Sequence, residues 1–147
     1  MSTEHASPHP EGREHRFPVR VYYEDTDAGG VVYHANYLQF AERARTEMLR
    51  EHGLAQSRIS AELGVFFVLR RCVADFLAPA RLDDYLVVTS RLADLRGASL
   101  DLDQVVMRDS LELVRLRVKL ACMSADGRAV RLPESVRNIL LEHSSNI

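Results

Sequence analysis

Apolar positions along this chain follow two different periods. From Ala35 to about His52 they recur at three- and four-residue steps, at Tyr37, Phe40, Ala41, Ala44 and Met48. Glu42, Arg43, Arg45, Glu47 and Arg50 fill the intervening positions, a pattern that predicts a long amphipathic helix with its charged side in solvent. Gly53 supplies a stop for it, and Ser57 to Glu62 reads as a short helical segment that Ser57 caps. The remaining apolar stretches read as strands: Phe17–Tyr23, Val65 to about Phe76, Tyr85 to about Leu95, Ser99–Arg108 and Leu111–Ser124. Pro18 confines the first of these to a sheet edge or to the strand's opening residues.

Ala78–Asp84, Asp109-Ser110 and Ala125–Arg128 carry turn chemistry between the strands, and Pro133 suits the first position of a C-terminal helix through about Glu142. The order is therefore strand, long helix, then about four antiparallel strands with short links. That order predicts an α+β layer architecture in which the helix covers the sheet and the sheet wraps around it.

The chain's chemistry concentrates in the connection between first strand and long helix. Glu24, Asp25 and Asp27, Gly29 and Gly30, and His34 crowd into Glu24-Asp25-Thr26-Asp27-Ala28-Gly29-Gly30-Val31-Val32-Tyr33-His34. The first turn of a helix holds unpaired N–H groups and the positive end of the macrodipole, so a developing oxyanion is favoured there. Two glycines let the chain pass close to a ligand. A carboxylate in the same loop can act on a carbonyl whose oxygen points at those amides, which makes acyl transfer the fitting reaction class.

Composition narrows the field. A chain of 147 residues with 46% apolar content accommodates one domain with a sizeable core. Residues 1–16 are polar, hold His5, His9 and His15, and read as a disordered tail ahead of a single domain over 17–147. A net charge of −2 gives no electrostatic footprint for nucleic acid. Cys72 and Cys122 sit in apolar runs without metal-ligand spacing, which points to buried free thiols in a reducing compartment. With no apolar span near 18 residues and no signal-peptide core, the expected location is the cytoplasm.

The run VRVYYEDTDAGGVVYHANYLQFAERARTEMLR, with FFVLRRCVADFLAPARLDDYLVV and LRGASL, resembles the hotdog-fold acyl-CoA thioesterases of the Tol-Pal-associated YbgC type, in the 4-hydroxybenzoyl-CoA thioesterase group. The likeness runs from about Pro18 to the C-terminal helix. It implies a hotdog fold, an acyl-CoA or acyl carrier protein substrate, no cofactor or metal, and a homo-oligomer, a dimer or a tetramer of hotdog dimers, with active sites at the dimer interface. By the same resemblance Asp27 is the catalytic carboxylate, and the oxyanion donor is a backbone N–H at about His34. The side chain of His34 would orient water or shuttle a proton. Gly30 and Tyr33 fall at the substrate, Tyr33 and Tyr37 are candidates for the acyl pocket, and Arg96 and Ser99 are candidates for CoA phosphate contacts.

Each residue also has a plainer reading. Asp27 fits an Asx-turn or a helix cap, Asp25 an Asx-turn or a bond to a neighbouring N–H, and Glu24 a surface charge. His34 fits a helix start, and Tyr37 a core position. Two other functions compete: a non-catalytic module binding acyl-CoA or acyl carrier protein, and a metal hydrolase with Asp25, Asp27 and His34 as ligands.

Overall fold

All the strand-forming stretches pair into one antiparallel sheet. The computed structural model describes residues 14–143. Its elements in chain order are β1 (His15–Arg20), α1 (His34–Glu51), α2 (Gln56–Leu63), β2 (Val65–Phe76), β3 (Tyr85–Leu95), β4 (Ser99–Arg108), β5 (Leu111–Ser124) and α3 (Glu134–Glu142), with a 3₁₀ turn at Tyr23–Asp25. The five strands lie in the order β1-β3-β4-β5-β2, so β1 and β2 are the edges. Pro18 sits opposite Val87 on the β1 edge, where a missing N–H is tolerated.

Strand alternation decides which face is covered. Leu100, Leu102 and Val106 of β4 and Val114, Leu116, Val118 and Leu120 of β5 are buried together with Leu86, Val88 and Leu92 of β3. Against them α1 lays Tyr37, Phe40, Ala41, Ala44, Met48 and Leu49, every apolar position expected of it and one more. This is the α+β hotdog arrangement, a sheet curved around one long helix. No helix among the described residues is long and apolar enough to cross a membrane.

Several boundaries differ from the sequence reading, each for a local reason. β1 ends at Arg20, before Tyr23, because the Tyr22 N–H turns to Asp25 Oδ2 at 2.8 Å and curls the next residues into the 3₁₀ turn. α2 starts at Gln56, and Ser57 does not cap it: the N-cap position is Ala55, without a side-chain cap bond. The Gln56 amide instead clasps the backbone of Phe67, donating to its carbonyl and accepting from its N–H, each at 3.0 Å. Pro133 is the residue before α3 and not its first.

The tail expected over residues 1–16 falls mostly outside the described residues, His5 and His9 with it. Its last two residues, His15 and Arg16, belong to β1, and His15 is buried with Nε2 3.7 Å from Glu51 Oε2.

Arg45 is the main departure. Placed by the helical pattern on the solvent side, it is buried and donates from Nη1 to Gln104 Oε1 at 3.3 Å. Burial pulls its pKa down from the usual arginine value. Gln104, fully buried on the inner face of β4, donates from Nε2 to the Ala41 carbonyl at 3.0 Å and to Ser90 Oγ at 2.9 Å. One amide thus ties β4 to β3 and to the middle of α1. Replacing it by the near-isosteric leucine leaves a guanidinium and a hydroxyl buried without that partner, at a cost of about 1–3 kcal/mol. The Gln104→Leu variant should therefore unfold several degrees below wild type in a thermal melt, at roughly 3 °C per kcal/mol for a chain of this size.

Candidate active site

The segment between β1 and α1 is held by one buried carboxylate. Asp25 is 6% exposed. Its Oδ2 accepts the Tyr22 N–H, and its Oδ1 accepts the side-chain amide of Asn36 on the first turns of α1 at 3.0 Å. Its carbonyl accepts the Tyr33 N–H at 2.9 Å. The start of the loop and the start of the helix are thereby fastened to the same residue.

Between these ties the chain makes a small hairpin. Thr26 bridges to Val32, and the Asp27 N–H donates to the Val31 carbonyl at 2.9 Å. Gly30, at the turn, has φ of +81°, the left-handed region that glycine adopts without strain, and its N–H donates to the Asp27 carbonyl at 3.0 Å. Asp27 is exposed, with Oδ1 accepting the Gly29 N–H at 2.8 Å. Its plain reading as an Asx-turn is thus realised, while Oδ2 has no partner among the described residues. Asp25 takes a bond to a neighbouring N–H, as its own plain reading expects.

The other limb of the hairpin leads to a cavity of about 270 Å³, lined by Val32, His34, Tyr37, Phe76, Leu77, Ala78 and Pro79. His34 is the first residue of α1, so its N–H belongs to the turn without intrahelical acceptors. The Tyr33 ring is exposed and tilts against the His34 imidazole at 4.4 Å, outside the cavity lining. Tyr37 is both core and cavity wall. Its hydroxyl accepts the Ala80 N–H at 2.8 Å, and burial raises its pKa, which keeps the phenol protonated near neutral pH.

Arg96 and Ser99 lie elsewhere. With Arg70, Arg71 and Lys119 they line a cavity of about 470 Å³. Lys119 pairs with Asp101, which alternates with the inward-facing Leu100 and Leu102, so this cluster is on the sheet face opposite α1. Arg96 and Lys119 are partly neutralised. Arg96 lies 2.9 Å from Asp94 and 3.7 Å from Asp101, and Lys119 3.1 Å from Asp101. The Arg96 hydrogen bond holds the exposed Asp94 carboxyl below the usual carboxylate range.

Arg70 and Arg71 have no carboxylate partner among the described residues. The sequence signal for them was an arginine pair interrupting an apolar strand. The structure shows that pair at an irregularity in the β2 register, between Leu69 and Arg71.

Both Asp25 oxygens accept N–H donors. Among the described residues no group of three His, Cys, Asp or Glu side chains is placed to hold a metal.

The chain and its fold have counterparts among known proteins. The model of the thioesterase-like superfamily matches residues 21–140. An acyl-CoA thioester hydrolase YbgC of Escherichia coli O6:H1 is 48% identical over 123 residues, covering 82% of this chain and 91% of that protein. An acyl-CoA thioesterase YbgC of Haemophilus influenzae is 45% identical over 122 residues, covering 82% and 90%. A crystal structure described as a probable thioesterase from Bartonella henselae superposes with a TM-score of 0.79 at 37% identity, over 82% of this chain and 99% of that one. The fold and these relatives agree, and the chain belongs to the thioesterase-like superfamily, in its YbgC-type branch.

Proposed function

We propose that this protein hydrolyses acyl-CoA thioesters, with Asp27 as the working carboxylate and the start of α1 as the oxyanion site. The observation that carries the reading is the double fastening by Asp25, which sets the Asp27 hairpin and the His34 N–H in one rigid unit. The thioester carbonyl sits with its oxygen toward the His34 N–H, where helix-end charge stabilises the tetrahedral intermediate. The free Oδ2 of Asp27 either takes a proton from a water that attacks the carbonyl carbon, giving the free acid as the C–S bond breaks, or attacks that carbon itself. Direct attack gives an acyl–Asp27 anhydride that a water then hydrolyses to the acid and the restored carboxylate. In both routes the thiolate leaves and is protonated to the thiol.

The acyl group enters the apolar cavity beside His34, and the basic cluster of Arg70, Arg71, Arg96 and Lys119, with Ser99, receives CoA phosphates. Along β2 the six residues from Arg71 to Phe76, five steps, span about 17 Å, a length an extended thioester arm covers. The same thioester on an acyl carrier protein is the second substrate form. Association through β2 follows from an edge strand that exposes Leu69, Val73 and Phe76, because a long apolar edge invites pairing with another copy. We place the active sites at that interface, with dimers pairing into tetramers. A cytoplasmic setting is supported by Cys72 and Cys122, both free thiols. The Tol-Pal association remains a trait of the resembling family, on which no residue described here bears.

Three outcomes are expected. Asp27→Asn should lose most turnover against a panel of acyl-CoAs from acetyl to palmitoyl plus benzoyl. Its melting temperature should stay close to wild type, because an asparagine oxygen still accepts the Gly29 N–H. An Asn variant with near wild-type turnover would sink the assignment of Asp27, and binding without hydrolysis by both proteins would favour an acyl-thioester binding module.

At His34, alanine and proline separate side chain from backbone. Proline is tolerated at a first helical position, and Tyr33 already has the extended ψ of 136° that a following proline requires. Both variants lack the imidazole and only His34→Pro lacks the N–H, so the proline form should turn over about a hundred- to a thousandfold more slowly than the alanine form. Equal rates would remove the amide from the mechanism. For the basic cluster, an Arg71→Ala, Arg96→Ala double variant should raise KM for acyl-CoA and leave the KM of a short thioester lacking the nucleotide unchanged. A parallel rise for both would contradict the phosphate role.

A further inference from the structure

Asp25 fastens the start of α1 from within the loop, and a second residue brackets it from the link between β2 and β3. Ala80, fully buried in that link, spends both of its backbone polar groups on the helix start. Its carbonyl accepts the Val32 N–H at 2.9 Å, and its N–H donates to the Tyr37 hydroxyl at 2.8 Å. Val32 comes two residues before His34 and Tyr37 three after it, so the bracket closes on both sides of the helix-start amide. Val31 bridges to Arg81 and extends the pairing along the same limb of the Asp27 hairpin.

The ends of the link are held by backbone bonds. Leu77 and Ala78 donate to the Leu113 carbonyl at 2.8 and 3.1 Å, while Asp83 and Asp84 exchange bonds with Val21 at 3.0 and 2.9 Å. The middle is set by an ion pair. Arg108, the last residue of β4, donates from Nη1 to Asp84 Oδ2 at 2.8 Å and to the Pro79 carbonyl at 3.2 Å, and the same Oδ2 accepts the Arg81 N–H at 2.8 Å.

Each peptide unit of Ala80 is therefore gripped at both ends. The unit that sends its N–H to Tyr37 has its carbonyl on Arg108, and the unit that receives Val32 on its carbonyl has its N–H on Asp84. A peptide unit is planar, so fixing one end aims the other. The pair itself is partly exposed, with 31% of the Arg108 side chain and 25% of the Asp84 side chain accessible, and such a pair adds little to overall stability.

We propose that Arg108 is a positioning residue for hydrolysis: through Asp84 and the two peptide units of Ala80 it holds the segment from Val32 to Tyr37, and with it the His34 N–H, in the place that turnover requires. The inference rests on the thioesterase reading above and adds to it a residue outside the cavity lining. An oxyanion donor works only within hydrogen-bond reach of the developing charge, and a misplacement of about 1 Å costs up to about a hundredfold in rate.

The test compares wild type with Arg108→Ala, Arg108→Lys and Arg58→Ala. Arg58, on α2, is the control, because it also bonds a carboxylate and a carbonyl, Glu62 at 3.3 Å and Gly53 at 3.4 Å. Values of kcat and KM are measured on the acyl-CoA panel, with thermal melts and amide hydrogen exchange at Tyr22, Val32, Tyr33 and Ala80. Arg108→Ala should lower kcat about ten- to a hundredfold and leave KM within about twofold. Arg108→Lys should regain most of the turnover, since an ammonium has a separate donor for each acceptor. Arg58→Ala should turn over like wild type, and every melt should stay within about 3 °C of it. In Arg108→Ala, exchange at Val32 and Ala80 should quicken at least about tenfold, while Tyr22 and Tyr33, whose N–H groups Asp25 holds, keep their wild-type exchange.

Near wild-type kcat in Arg108→Ala overturns the inference, as does an equal loss in Arg58→Ala or a lysine variant as slow as the alanine one. Unchanged exchange at Val32 and Ala80, or a rise at all four amides, overturns it too. If wild type hydrolyses no thioester, the thioesterase reading falls. Quickened exchange confined to Val32 and Ala80 then still upholds Arg108 as the residue that positions the helix start, and unchanged exchange removes it.

Discussion

A carboxylate buried at the foot of the long helix is the constraint on which the working part of this protein depends. Asp25 is placed where desolvation would penalise its charge, and it is compensated by two N–H donors from opposite sides of the loop. Because those donors belong to Tyr22, just beyond β1, and to Asn36, inside α1, neither the strand end nor the helix start can move without uncovering the charge. The hairpin carrying Asp27 is only a few residues long between these points. The position of its exposed carboxylate relative to the α1 amides is therefore set by the buried acid two residues before it.

The sheet carries the second layer of organisation. Its inner face is largely apolar, and the Gln104 amide on it converges with Arg45, Ser90 and the Ala41 carbonyl. Its outer face alternates aspartates of β4 with Lys119 and Arg117 of β5. An apolar cavity thus lies at the helix start and a cationic one on the reverse side of the same sheet.

Much of this was legible from the chain, for identifiable reasons. The period of α1 was readable because Tyr37, Phe40, Ala41, Ala44 and Met48 all pack inward, and Pro18 announced an edge strand. The motif placed Asp27 and His34 on a strand-to-helix connection. Arg45 was misplaced because a guanidinium within a helical charge pattern looks solvated. What buries it is Gln104, fifty-nine residues later, and no local pattern reports such a partner. The cavity was hidden for the same reason: Phe76 to Pro79 reach His34 only through sheet pairing. Ser57 misled as a cap because capping is a statistical preference, and the Gln56 clasp on Phe67 sets the start of α2 without one.

His15, the first residue of β1, is buried with its Nε2 near Glu51. Glu51 is the last residue of α1, and at the same end His52 stacks on His143, just after α3, with ring centroids 4.0 Å apart. The start of β1 and the end of α3 are therefore neighbours, at the far end of an eighteen-residue helix whose other end is His34. At about 1.5 Å per residue that separation is about 27 Å. The imidazole stack and the His15–Glu51 contact thus sit at one pole of α1, and the Asp27 hairpin at the other.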